Sequence, residues 1–251
     1  MAQLILEGWG NAPHTPVLGV GEAHIWRVTL DHPAAAESMW PMLSSEERDR
    51  VNRFHFPAHG RRYAVAHGML RWILALYADA RPESLTFATG AHGKPDLTSD
   101  SRAFVHFNLS HSADMALVAV SGTGALGVDV EFWRKNVQHI EIAERFFSER
   151  EQRTLRDYEG DQLGLTRGFF AGWSRKEAYL KATGHGISRG LDHFDVSLDA
   201  GPAARLLGDR LDPGAVDRWV MADIDVGPQY SAAVVATAPL GAIRLYDAPY
   251  I

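Results

Sequence analysis

The 251-residue sequence contains no cysteine, which excludes disulfide bridges and cysteine-ligated zinc. Positive charge is in short supply. Lys and Arg number 25 against 31 Asp and Glu, a formal net charge of −6 that argues against a general nucleic-acid binder. No apolar run reaches the roughly 18 residues of a membrane span. The opening stretch MAQLILEGWGNAPHTP lacks the basic start, long apolar core and small-residue cleavage site of a secretory signal. Gly-x-x-x-x-Gly-Lys-Ser/Thr and Gly-x-Gly-x-x-Gly loops are missing, and so is the Gly-x-Ser-x-Gly elbow of hydrolases. His55, His59 and His67 crowd one segment, but no acidic partner at zinc spacing accompanies them. These absences lead us to expect a cytoplasmic protein with no membrane and no nucleic-acid partner.

What is present reads as helices followed by small sheets, twice over. His24–Leu30 alternates like a strand. Ser44 and Glu47 form a capping-box pattern opening a helix through SSEERDRVNRF. Val65, Met69, Trp72, Ile73 and Leu76 stripe a longer helix over Arg61–Ala78. Leu85–Ala88 is a short strand, and Gly93-Lys94-Pro95 is a turn presenting a lysine. Strands at Phe104–Asn108, Met115–Ser121 and Ala125–Glu131, joined by tight turns, suggest an antiparallel meander. The order then recurs. Ile140–Phe147 is helical, Ser148 and Glu151 make a second capping box for EREQRTLRDY, and Leu163–Lys181 is a long helix. Strands follow at Phe194–Leu198, Trp219–Val226, Tyr230–Ala236 and Ala242–Tyr246. The expected fold class is therefore α+β, with two similar α/β halves, 1–123 and 124–251, hinged near Gly122–Gly124. The likeness rests on element order, since no residue-level repeat is visible.

Four motifs carry the chemistry. In Gly127-Val128-Asp129-Val130-Glu131, strand alternation puts Asp129 and Glu131 on one side and Val128 and Val130 towards the core. Paired carboxylates repel and are most easily tolerated around a cation such as magnesium, although an exposed acidic strand end is the simpler alternative. In FFAGWSRKEAYLKATGHG, Glu177 and Lys181 share a helix face. That face is either a surface salt bridge or a third metal ligand beside a phosphate-binding lysine. Asn108-Leu109-Ser110-His111-Ser112 follows a strand and suits a phosphate better than a hydrolase. Glu151 is either the capping partner of Ser148 or a general base.

With GVDVE followed by WSRKEAYLK, the chain resembles the 4′-phosphopantetheinyl transferases of the surfactin type, in which one chain holds two similar halves. The likeness takes in Arg53-Phe54, Arg62 through Arg71, Gly93-Lys94-Pro95, Asn108–Ser112, FFSERE and the helix from Phe169. It implies halves related by a pseudo-two-fold axis, with the active site in the cleft between them. The first half would contact the coenzyme A nucleotide, and the second would hold the metal and catalytic motifs. It implies transfer of 4′-phosphopantetheine from coenzyme A to a serine of an apo acyl- or peptidyl-carrier protein, leaving adenosine 3′,5′-bisphosphate. Asp129, Glu131 and Glu177 become magnesium ligands. Lys176 and Lys181 fall near the pyrophosphate, and Ser110, His111, Arg62 and Lys94 become coenzyme contacts. Glu151 falls at a position resembling a proposed base, beside Glu177 and Lys181 as catalytic groups. Where some relatives carry lysines before the first long helix, Pro57 and Ala58 stand here, so Arg53, Arg61 or Arg62 would serve the 3′-phosphate. A working monomer is expected. The competing readings are a magnesium-dependent pyrophosphohydrolase of a nucleotide or coenzyme A, and a non-catalytic carrier-binding protein.

Overall fold

A computed structural model describes residues 4–32, 34–90, 93–98, 105–186, 189–199 and 204–250. The chain forms two compact units, one of Met1–Thr123 with Gly241–Ile251 and one of Gly124–Leu240. Among the described residues no helix is long and apolar enough to cross a membrane.

The first unit is built on a five-stranded sheet and one long helix. Its elements are β1 (Ile5–Asn11), β2 (Glu22–Thr29), α1 (Ala35–Met39), α2 (Ser45–Asn52), α3 (Pro57–Ala78), β3 (Phe87–Thr89), β4 (Pro95–Leu97), β5 (His106–Ser112), β6 (Met115–Ser121) and β12 (Ala242–Asp247). The strand order is β1-β12-β2-β6-β5, with β12 parallel to both β1 and β2 and the rest antiparallel. The strand at 242–247, grouped in the sequence with the second half, thus completes the sheet of the first unit. Strand β1 was not expected at all. It is an exposed edge strand with too little burial to leave an alternating pattern.

Helix α3 begins with Pro57 in its first turn, where a missing N–H costs nothing, and ends on Asp79 in the left-handed conformation. Its Val65, Met69, Ile73 and Leu74 pack with Trp26, Val28, Val118 and Val120 of the sheet. Among the described residues of this unit, one arginine is buried. Arg71 is 3% exposed. Its Nε donates to Glu47 Oε2 at 2.7 Å, and its Nη1 donates to the carbonyls of Pro82 (3.2 Å) and Leu85 (2.8 Å). The guanidinium lies 5.0 Å from the Phe87 ring centroid. Glu47 also closes the capping box, its Oε2 accepting the Ser44 amide at 2.8 Å. Burial works against the charged carboxylate, but bonds from His67, Arg71 and the Ser44 amide hold its pKa near about 2.

The second unit comprises β7 (Leu126–Phe132), α4 (His139–Phe146), α5 (Glu149–Arg156), α6 (Gln162–Thr183), β8 (Phe194–Val196), β9 (Leu206–Asp209), α7 (Ala215–Arg218), β10 (Trp219–Asp223) and β11 (Tyr230–Thr237). Its three-stranded antiparallel sheet has the order β10-β11-β7. Helix α6 is capped by the Asp161 side chain and stops at Gly184, whose φ of 71° suits glycine. Its Phe169, Phe170, Ala178 and Tyr179 form a core with Ala233 and Val235 of β11.

Two local expectations change. The meander does not form, because β6 is already paired on both sides by β2 and β5, and the turn at Gly122–Gly124 delivers β7 to a different sheet beside β11. The Asn108–Ser112 motif does not follow a strand but lies inside β5; Phe104, where that strand was expected to start, is outside the described residues. Val128 and Val130 are buried, as strand alternation led us to expect, and α6 packs on the opposite face of β7. That face pairs Gly127 with Val235 and Asp129 with Ala233.

Candidate active site

A close backbone approach puts the acidic strand under the long helix. A Cβ on Gly127 would lie 2.2 Å from the Ala178 carbonyl oxygen and 2.4 Å from the Ala182 nitrogen. Only glycine lets α6 settle this deeply on β7. This is the functional requirement the sequence reading missed. The signal was there, in a glycine opening an otherwise β-branched and acidic strand.

The approach brings Asp129, Glu177 and Lys181 together. Asp129 is 3% exposed, and its Oδ1 accepts a bond from the Lys181 ammonium at 2.6 Å. The same ammonium reaches the Val128 carbonyl at 3.3 Å. Glu177 lies one turn before Lys181 and is half-buried. Burial pushes its carboxyl pKa up, the charge of Asp129 adds to the rise, and Lys181 opposes it. Glu131 follows two residues after Asp129 on the same face of β7 and is half-buried.

The donors here are carboxylate oxygens, hard ligands of the kind magnesium takes along with water and phosphate oxygens. Asp129 and Glu177 repel each other across the site, and a cation between them would relieve that repulsion. The residues present therefore fit a magnesium ion. Among the described residues, no group of three His, Cys, Asp or Glu side chains is already gathered to hold a metal. The cation now satisfying Asp129 is Lys181.

Lys176 and Glu151 lie elsewhere in this unit, inside its core. Lys176 is 0% and Glu151 1% exposed. The ammonium donates to the Leu191 and Phe194 carbonyls at 2.8 and 2.7 Å and meets Glu151 Oε2 at 2.8 Å. Burial pulls the Lys176 pKa down, and Glu151 resists that fall. Glu151 accepts the Ser148 amide at 2.9 Å, completing the capping box, and the Val196 amide at 2.8 Å. Trp173, one turn before Glu177, is a packing residue whose ring centroid lies 5.9 Å from that of Phe169 and 6.3 Å from that of Phe147.

In the first unit the expected coenzyme contacts come from α3, the turn after β3, and β5. Arg62 binds Asp31 bidentately at 2.6 and 2.5 Å. Lys94 sits in the turn between β3 and β4, where Gly93 has a φ of 85°. Burial lowers its pKa against the pull of Asp96, and its charge contributes to the lowered pKa of His106. Ser110 and His111 are neighbours on β5 and therefore face opposite ways, Ser110 buried and His111 exposed.

A strand carboxylate, a helix carboxylate and a lysine one turn on are the equipment of a metal-assisted phosphate-transfer site. Comparison with known proteins supplies the family. The profile of the 4′-phosphopantetheinyl transferase superfamily matches residues 125–235, and that of the 4′-phosphopantetheinyl transferase N-terminal domain matches residues 26–123. The chain is 38% identical over 200 residues to the 4′-phosphopantetheinyl transferase HetI of Nostoc sp., covering 79% of this chain and 83% of that one. It is 34% identical over 209 residues to the 4′-phosphopantetheinyl transferase psf-1 of Bacillus pumilus, covering 82% and 84%. It is 31% identical over 219 residues to a 4′-phosphopantetheinyl transferase of Bacillus subtilis, covering 86% and 92%. The chain belongs to the 4′-phosphopantetheinyl transferase family, and it is a transferase.

Proposed function

We propose that the protein transfers 4′-phosphopantetheine from coenzyme A to a serine of an apo carrier protein in the cytoplasm. The observation that carries this reading is the convergence of Asp129, Glu177 and Lys181 on the motif positions that gave the family resemblance. In the reaction the serine oxygen bonds to the pantetheine-side phosphorus and the hydroxyl proton passes to water. The anhydride P–O bond then breaks, and adenosine 3′,5′-bisphosphate leaves.

Asp129, Glu131 and Glu177 would hold magnesium, which supplies charge neutralisation to the pyrophosphate oxygens. Lys181, on the exposed side of Asp129, is the cation available to the leaving phosphate. Arg62 and Lys94 are assigned to the coenzyme phosphates. Of the Ser110–His111 pair, His111 is the member at the surface. Transfer of this kind depends on positioning and charge neutralisation more than on covalent help from the protein.

The test is the intact mass of an apo carrier protein incubated with enzyme, coenzyme A and magnesium. A gain of one phosphopantetheine group supports the reading. Free phosphopantetheine with an unmodified carrier would make the protein a pyrophosphohydrolase instead, and carrier binding without any turnover would make it a binding protein.

A further inference from the structure

The geometry points to Glu151 and Lys176 as a positioning pair that locks the rotation of α6, and not as a base and a phosphate contact. This inference rests on the proposed transfer only for its kinetic arm. Lys176 leaves α6 on the side away from Asp129, and among the described residues its ammonium is held by other elements. Its partners are the Glu151 carboxylate on α5, the carbonyl of Leu191 in the turn before β8 and that of Phe194, which opens β8. The Phe194 ring covers the ammonium, with its centroid at 4.3 Å. Glu151 is fixed in turn by the amides of Ser148 and Val196. At 1% and 0% exposure the two groups offer no surface to a hydroxyl or a phosphate.

Successive residues of a helix are about 100° apart around its axis. Pinning Lys176 therefore fixes the direction of Glu177, the next residue, and of Lys181 a turn further on. The first unit shows that this is a recurring structural device. Glu47 also closes a capping box on a short helix. It also meets a buried cation, Arg71, which occupies the same place in a 22-residue helix. Arg71 likewise holds two backbone carbonyls beyond its helix and lies over the phenylalanine opening the next strand. The first-unit helix has no acid or lysine at the positions matching Glu177 and Lys181, where Trp72 and Leu76 stand. The device therefore orients a helix whether or not that helix carries chemistry.

The experiment compares Glu151→Gln, Lys176→Met, Lys176→Arg and the double Glu151→Leu/Lys176→Met variant. Urea unfolding gives a readout independent of activity. Each unpaired single variant is expected to lose more stability than the double variant, the sign of a coupled pair. In the transfer assay, at a temperature where every variant is folded, the unpaired variants should lose about tenfold in kcat. Their magnesium activation constant should rise while KM for coenzyme A stays put. The double variant should recover to within about threefold of the parent with the parent pH profile, and Lys176→Arg should recover as well. An inactive double variant, a flattened acid limb in Glu151→Gln or a raised KM for coenzyme A would overturn the inference. So would additive unfolding losses. Loss of stability with unchanged magnesium activation would reduce the pair to a purely structural tie. If the parent protein shows no transfer, it is the proposed function that fails, and the unfolding cycle still reads the lock.

Discussion

The two units carry the same buried tie but only one of them carries the charged face. In the first, Glu47 and Arg71 anchor α3, and the residues beyond Arg71 that look out from the helix are Trp72 and Leu76, packed against the core. In the second, Glu151 and Lys176 anchor α6, and the corresponding positions are Glu177 and Lys181, turned to Asp129. Both helices have 22 residues and both end on a left-handed residue, Asp79 in one and Gly184 in the other. The difference teaches that the frame and the chemistry are separable. The frame comes from a capping-box glutamate meeting a buried cation. The chemistry comes from which side chains the frame then presents, and from a glycine that lets the strand come close.

The comparison breaks in the backbone at that glycine. Gly127→Ala drives a methyl group into the backbone of α6, which cannot rotate away, and should destabilise the second unit by about 3 kcal/mol. Urea unfolding would register it. A stable, active Gly127→Ala protein would mean that α6 does not lie this deep. Lys181→Leu copies the first unit's Leu76 onto the second unit. It takes the Lys181 cation from the buried Asp129 carboxylate, so it should cost stability, read by urea unfolding, and reduce transfer about 100-fold at a temperature where the protein is folded, read by carrier mass against time.

Removing one partner of each tie tests their likeness further. Glu151→Gln should cost more than Glu47→Gln, because the Glu151 side chain is 1% exposed and that of Glu47 13%. Leaving a buried partner charge alone costs about 3–5 kcal/mol, and solvent screens the Glu47 site more. The first tie also has a pH signature. The Glu47 pKa is lowered from its ordinary value of 4.5 to about 2 in the folded chain. Its contribution to stability is therefore complete above 4.5 and is lost as pH falls through 2. Glu47→Gln should flatten the acid limb of the stability profile between those values. The smallest effect belongs to Arg62→Ala. Its pair with Asp31 is half-exposed, so stability should move by less than about 1 kcal/mol, and a rise in KM for coenzyme A would reveal the assigned contact.

The long helices, both capping boxes and most central strands were legible because each has a local cause. Apolar residues at helical spacing mark α3 and α6, and Ser-x-x-Glu marks the starts of α2 and α5. Strand partners were not legible. Which edge β7 joins depends on β6 being occupied by β2 and β5, and nothing within β7 records that. The return of β12 to the first unit is non-local for the same reason. At the site, Asp129 with Glu177 and Lys181 was readable from alternation on the strand and the four-residue step on the helix. Lys176 was placed near the pyrophosphate because it matches the family's motif lysine. Only its three buried acceptors show that the charge is already used.

The sequence by itself determined the family, the two long helices with their capping boxes and the identity of the acidic and basic groups, since these rest on residue type and short spacing. The tertiary structure decided which of two adjacent charged residues, Lys176 or Glu177, faces the site. Neighbours on a helix point about 100° apart, and only packing against β7, α5 and β8 sets which of them is turned to Asp129.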